Sequence, residues 1–169
     1  MIFIGYQGVG KSTLSQGDRN FIDLESSHFF VDGVRDTNWH IVYCSIAESL
    51  SRNGYNVFVS SHKAVRDQLK GSTERVITIY PSLHLKKQWI QKLYDRYADS
   101  GLEKDYKAWK NADDRFDDNI KELESDSINK IQLLSMTYSL GLEITRFNDA
   151  FVKQVRRSPN ADNPFCNRG

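Results

Sequence analysis

Short apolar runs punctuate this chain, and longer stretches between them carry apolar residues at a spacing of three and four. The runs fall at Met1–Ile4, Phe21–Leu24, 55–60, 75–80 and 128–134. The 57–59 run, Val57-Phe58-Val59, is continuous rather than alternating. Such runs predict strands buried on both faces, as in a parallel sheet. Between them, Trp39, Tyr43, Ile46 and Leu50 recur at helical spacing, with Gly54 as the stop. A long helix opens at Pro81-Ser82, places Leu85, Trp89, Leu93 and Tyr97 on one face, and ends at Ser100-Gly101. Tyr106, Trp109, Phe116, Ile120 and Leu123 make an amphipathic stripe over 103–123, whose acidic remainder is a solvated face. Shorter helices are expected over 12–16, ended by Gly17-Asp18, and over 64–69.

Three segments read less simply. Asp32-Gly33 between short β-prone pieces signals a hairpin, whose aromatics Phe29 and Phe30 either line a pocket or fold over the sheet. Leu142-Glu143-Ile144-Thr145 alternates weakly, as a strand would. Residues 158–169 hold two prolines, three asparagines and little apolar content, and are expected to be a disordered tail. Strands alternating with helices predict an α/β fold, and neither a repeat nor a composition break divides 1–157, which reads as one domain.

Composition narrows the choice of partners. The 169 residues, 39% of them hydrophobic, suffice for a sheet covered on both faces. Net charge is +1, so no nucleic-acid stripe is expected. Cys44 and Cys166 form neither a disulfide framework nor a zinc ribbon. No run has the length of a membrane span, and the chain enters its first strand without room for a signal peptide. These features predict a soluble, cytoplasmic protein.

The chemistry concentrates after the first strand. Gly5-Tyr6-Gln7-Gly8-Val9-Gly10-Lys11-Ser12-Thr13 fits G-x-x-x-x-G-K-[ST], the phosphate-binding loop of nucleoside triphosphatases, in a strand–loop–helix context. Gly5, Gly8 and Gly10 can take positive φ and close the backbone around a phosphate, with amides turned inward as an anion nest. Lys11 would charge-neutralise the β and γ phosphates, and the Ser12 hydroxyl would join a Mg²⁺ shell. Asp23 and Glu25 end the second strand, on the edge where open α/β sheets bind ligands. Either they face the same crevice, Asp23 holding a Mg²⁺-bound water or a substrate hydroxyl, or they cap the next segment. Arg35 reaches a substrate phosphate or is solvated. Trp39 reaches a base or packs in the core. His62 contacts a phosphate or caps a helix.

Gly5 to Thr13, Phe21 to Glu25, Asn56 to His62 and the helix with Arg96 resemble the small P-loop kinases of the nucleoside monophosphate kinase type, phage and prophage nucleotide kinase-like proteins in particular. The resemblance covers roughly residues 1–125 and implies a three-layer P-loop fold. Its five-stranded parallel sheet would run in the order 2-3-1-4-5, with helices on both faces and a helical lid within about 94–120. It implies ATP and Mg²⁺, and arginines that neutralise transferring phosphates: Arg96 and Arg115 on the lid side, Arg35 and Arg66 on the acceptor side. The chain departs from the family pattern in its short first helix, in lacking an arginine-rich lid of doubled spacing, and in ending its third strand with Ser60-Ser61 in place of an aspartate. The last departure gives Asp23 more weight as a metal ligand.

The expected activity is transfer of the γ-phosphoryl of ATP to a small acceptor, a (deoxy)nucleoside monophosphate, by a monomer or homodimer. The alternatives are a kinase of shikimate or gluconate type, and a nucleotide-binding module or phage accessory protein that binds without turnover.

Overall fold

A computed structural model describes residues 1–31, 34–126 and 129–156. The expected turn at Asp32-Gly33, the start of the last strand at Ile128, Cys166 and the tail from 158 lie outside the described residues.

Five parallel strands make the central sheet: β1 (Ile2–Gly5), β2 (Phe21–Asp23), β5 (Asn56–Ser60), β6 (Val76–Pro81) and β7 (Lys130–Leu133). Two more, β3 (Phe30–Val31) and β4 (Val34–Arg35), pair only with each other, antiparallel, as a separate two-stranded sheet. Counted over all seven, the order in the large sheet is β2-β5-β1-β6-β7. The labels differ from the expected 2-3-1-4-5 because the small sheet takes two numbers that the large one does not use. β1 is central, with Gly5 opposite Ser60 on one side and Ile79 on the other.

Alternation along the strands divides the core between the two faces. Phe3, Phe58, Ile77 and Ile79 pack with α4 (Lys86–Ser100), α5 (Glu103–Asp126) and α6 (Leu140–Arg156) through Trp89, Leu93, Phe116, Ile120 and Ile144. Ile2, Ile4, Val57 and Val59 pack with α2 (Trp39–Arg52) and α3 (Lys63–Leu69) through Tyr43, Cys44, Ala47 and Val65. The sheet is thus the middle of three layers. Each fully buried aliphatic or aromatic side chain here contributes on the order of 2 kcal/mol. Among the described residues no helix is long and apolar enough to cross a membrane.

Several expectations shift. The buried face of α2 is rotated from the one predicted: Tyr43, Cys44, Ala47 and Ser51 are buried, and Ile46 is 39% exposed. Pro81 does not open the long helix but closes β6, opposite Leu133; a 3₁₀ turn, Leu83–Leu85, leads into α4. The 142–145 segment is not a strand but the first turns of α6, whose Leu140 and Ile144, one turn apart, are buried. The second half of the expected lid is anchored rather than free, because Ala112, Phe116 and Ile120 belong to the sheet core. The part beyond Leu93 is held by its own aromatic cluster, in which Trp109 stacks on Tyr97 at 6.0 Å and meets Tyr94 at 5.2 Å.

Candidate functional site

The C-terminal ends of the parallel strands share one edge of the sheet, and Gly5, Gly8–Thr13, His62, Arg66, Arg96 and Arg115 line cavities at this edge. β1 delivers Gly5 into the loop, which enters α1 (Lys11–Gly17) at Gly10. Gly8 and Gly10 have φ of 83° and 93°, a conformation that side chains with a Cβ disfavour. Gly5 is different: it lies within β1. A Cβ there would sit 2.7 Å from Lys11 Cδ, so this glycine makes room for the lysine stem.

Lys11 curls back over the loop and donates to the Gly5 carbonyl at 3.1 Å. Burial pushes its ammonium below the usual range, opposed by the charges of Asp23 and Glu25. Ser12 Oγ donates to Asp23 Oδ2 at 2.6 Å. The hydroxyl at the start of α1 and the carboxylate at the end of β2 are therefore neighbours, as the sequence suggested.

The loop is also fixed from outside. Trp89 Nε1 donates to the Gln7 carbonyl at 2.9 Å, and the Tyr138 hydroxyl donates to the Gly8 carbonyl at 3.2 Å. The two rings stack on each other, 6.0 Å apart. Across a trans peptide the carbonyl and the next amide point in opposite directions. Anchoring the Gln7 carbonyl outward thus turns the Gly8 amide into the loop. The Val9 amide closes a turn on the Tyr6 carbonyl at 3.3 Å. Gln7 reaches α5, where its Nε2 donates to the Ala108 carbonyl at 2.6 Å.

Two cavities meet at Lys11. The larger, about 880 Å³, lies between Gly8–Thr13 and the face of α4 that carries Lys87, Lys92 and Arg96. The smaller, about 310 Å³, is bounded by Lys11, Ser61, His62, Asn111, Arg115 and Asn119 among others. Arg96 and Arg115, expected together on a lid, border different cavities. Arg96 pairs with the buried Asp105 at 3.0 Å, and Arg115 lies 3.8 Å from Glu122. Arg115 also marks a kink in α5, with φ −136° and ψ 22°.

The two residues expected on the acceptor side separate as well. Arg35 stands over the Trp39 ring at 4.0 Å and donates to the Ser26 carbonyl at 2.9 Å. Trp39 in turn meets His62 edge-on at 5.7 Å. The surrounding protein, then Arg35, Lys11 and Arg66, push the imidazole of His62 below its ordinary value. Tyr43 holds this corner together by donating to the Leu24 carbonyl at 2.6 Å and accepting from the Ser60 amide at 2.9 Å. Arg66 borders the smaller cavity but is buried and committed to structural partners. Its guanidinium donates to Asp126 (3.0 Å), the Ser61 carbonyl (2.7 Å) and Glu122 (2.9 Å), tying α3 to α5.

Sequence reasoning missed Lys92, Tyr138 and Trp89 as parts of this site. Lys92 had a signal, since it lies four residues before Arg96 on α4. Tyr138 had none, because it sits in an irregular stretch with no period. The groups that could serve a divalent cation here are the Ser12 hydroxyl and the Asp23 carboxylate. Among the described residues no group of three or more His, Cys, Asp or Glu is arranged around a metal. Two hard oxygens suit Mg²⁺, which keeps several waters and shares phosphate oxygens. No protein-family model matches the chain, and no curated protein matches it.

Proposed function

We propose that this chain is a small P-loop kinase of the nucleoside monophosphate kinase type, which moves the γ-phosphoryl of ATP to a (deoxy)nucleoside monophosphate. The observation that carries the reading is the 2.6 Å hydrogen bond between Ser12 and Asp23, beside Lys11 at the meeting of two cavities. It supports assigning Asp23 to the metal rather than to a substrate hydroxyl, and so favours a nucleotide acceptor over a shikimate- or gluconate-like one. Mg²⁺, when bound, would neutralise charge on the phosphate oxygens. The triphosphate would occupy the larger cleft and the acceptor the smaller cavity.

Each residue then has a task. The loop amides and Lys11 orient the γ-phosphoryl. His62, Asn111 and Arg115 border the space for the acceptor, and Arg35 with Trp39 forms its outer corner. An acceptor phosphate oxygen attacks the γ-phosphorus as the bond to the β–γ bridging oxygen breaks, and the products are a diphosphate and ADP. Such transfer depends on position and charge neutralisation more than on covalent chemistry by the protein.

The test is Mg-ATP with a panel of nucleoside monophosphates, following ADP. Turnover that depends on one monophosphate, and is lost in Lys11→Ala with circular dichroism unchanged, is the expected result. ATP binding with no turnover on any acceptor would instead make the chain a nucleotide-binding module. Unchanged ATP affinity in Lys11→Ala would remove the loop from the argument altogether.

A further inference from the structure

Lys92 differs from the paired lysines of α4 and α5: Lys86, Lys107 and Lys110 each pair with a carboxylate. Among the described residues, none pairs with Lys92. Its Nζ instead donates to the Tyr138 hydroxyl at 3.1 Å and lies over two rings, 4.7 Å from the centroid of Trp89 and 5.1 Å from that of Tyr138. The ammonium is half-buried and borders the larger cleft, opposite Gly8–Thr13. Burial, and then the charge of Arg96 one turn away, push it below its usual range.

A cation held against a like charge, without an acidic partner, is a local conflict that natural sequences retain chiefly at functional sites. The surroundings show which ligand would relieve it. Ring faces and one hydroxyl fix the ammonium in place while neutralising none of its charge. An ammonium has three donors, and Tyr138 accepts one. Tyr138 also donates to the Gly8 carbonyl, so Lys92, Tyr138 and the loop form one hydrogen-bonded line. Lys87 borders the same cleft and is exposed, as are the carboxylates Asp95 and Asp99.

We propose that Lys92 is a second anion-binding group of the cleft, gripping the oxygens of a polyphosphate chain from the wall opposite the loop. The proposal rests on the reading of Gly5–Thr13 as a phosphate loop. The ligand class is a linear polyphosphate, free or as the tail of a nucleoside triphosphate. Because the rings hold Lys92 where it stands, this grip needs no closure of α4 and α5, in contrast to one made by the exposed Arg96.

Calorimetric titration of the full chain with inorganic tripolyphosphate, and separately with Mg-ATP, tests it. Lys92→Met should weaken tripolyphosphate binding by about tenfold or more, the worth of a charge-assisted hydrogen bond. Lys92→Arg should recover part of the loss. Tyr138→Phe keeps the ring on Trp89 and removes the hydroxyl. It should weaken binding a few-fold, and because it also frees the Gly8 carbonyl, the double variant should bind more weakly than Lys92→Met alone. Melting temperature, read in parallel, should fall by only a few degrees in Tyr138→Phe, about the cost of one hydrogen bond. If Lys92→Met binds tripolyphosphate like the unmodified chain while Lys11→Ala has lost it, the role of Lys92 is refuted and the phosphate loop stands. If the unmodified chain binds neither tripolyphosphate nor Mg-ATP, both fall.

Discussion

Arg66 separates a structural from a ligand-binding assignment, and Arg66→Met tests which holds. Methionine keeps an unbranched apolar stem of similar bulk near the backbone and removes the guanidinium and its charge. In the native chain the Arg66 side chain is only 7% exposed, and its hydrogen bonds to Asp126, Glu122 and the Ser61 carbonyl join α3 to α5. Removing one side of a buried ion pair costs about 3–5 kcal/mol when the partner stays buried. Here Glu122 and Asp126 keep 45% and 24% exposure, so water recovers part of that. The expected loss is about 2–3 kcal/mol, or roughly 5–10 °C in melting temperature for a chain of this size. Thermal melts followed by circular dichroism, with acceptor affinity measured below the transition, read both roles at once. pH adds a second signature. Burial raises the Asp126 carboxyl, but hydrogen bonds from Lys70 and Arg66 outweigh it and hold the group below its ordinary value. The folded state therefore resists protonation more than the unfolded one. This contribution is present above about pH 4 and is lost as the pH falls further. The gap between the two proteins should be constant near neutrality and narrow in acid. A variant that melts within about 1–2 °C of the unmodified chain, yet loses acceptor affinity, would refute the structural role.

Asp23→Asn should raise the Mg²⁺ concentration for half-maximal turnover by roughly tenfold to a hundredfold, and an unchanged Mg²⁺ dependence would leave Asp23 only as a partner of Ser12. Gly8→Ala forces a Cβ onto φ 83° and to 3.0 Å from Leu93 Cδ2, so stability should fall. About 1–2 kcal/mol of that comes from the backbone alone, and denaturant unfolding with no shift in midpoint would contradict it. Arg115→Lys keeps the charge but loses the planar fork, and turnover should drop about tenfold with ATP affinity little changed; normal turnover would take Arg115 out of the phosphate clamp.

What could be read in the chain was local. The strand, glycine loop and helix from Ile2 to Gly17 are contiguous, and their spacing carried the loop; Asp23, outside that spacing, was left between the crevice and a cap. Side-chain partners were a different matter. Asp95 and Asp114 are the acids next in sequence to Arg96 and Arg115, but the partners are Asp105 and Glu122, brought in by the return of α5 and by its own helical turns. The rotated face of α2 escaped notice because Cys44 and Ala47 are small and carry little apolar signal, although they are buried. α6 was ambiguous because Leu142 and Ile144 alternate over a stretch too short to separate a strand from a helix. Its period shows only when Leu140, Ile144 and Phe147 are taken together. Tyr138 acts through tertiary contact alone, with α4 and with Gly8, and no window of sequence contains them both.

The outward anchoring of the Gln7 and Gly8 carbonyls also bears on the thermodynamics of binding. Glycine-rich backbone has much conformational entropy to lose. Here Trp89, Tyr138 and the Gln7–Ala108 hydrogen bond remove that freedom when the chain folds, before any phosphate arrives. A ligand entering such a loop has little ordering left to impose on it, so its interaction energy is retained as affinity rather than offset by disorder lost in the protein. The same three ties make the cradle sensitive at a distance: loosening any of them would return entropy to the free loop and weaken binding without touching a group that meets the ligand.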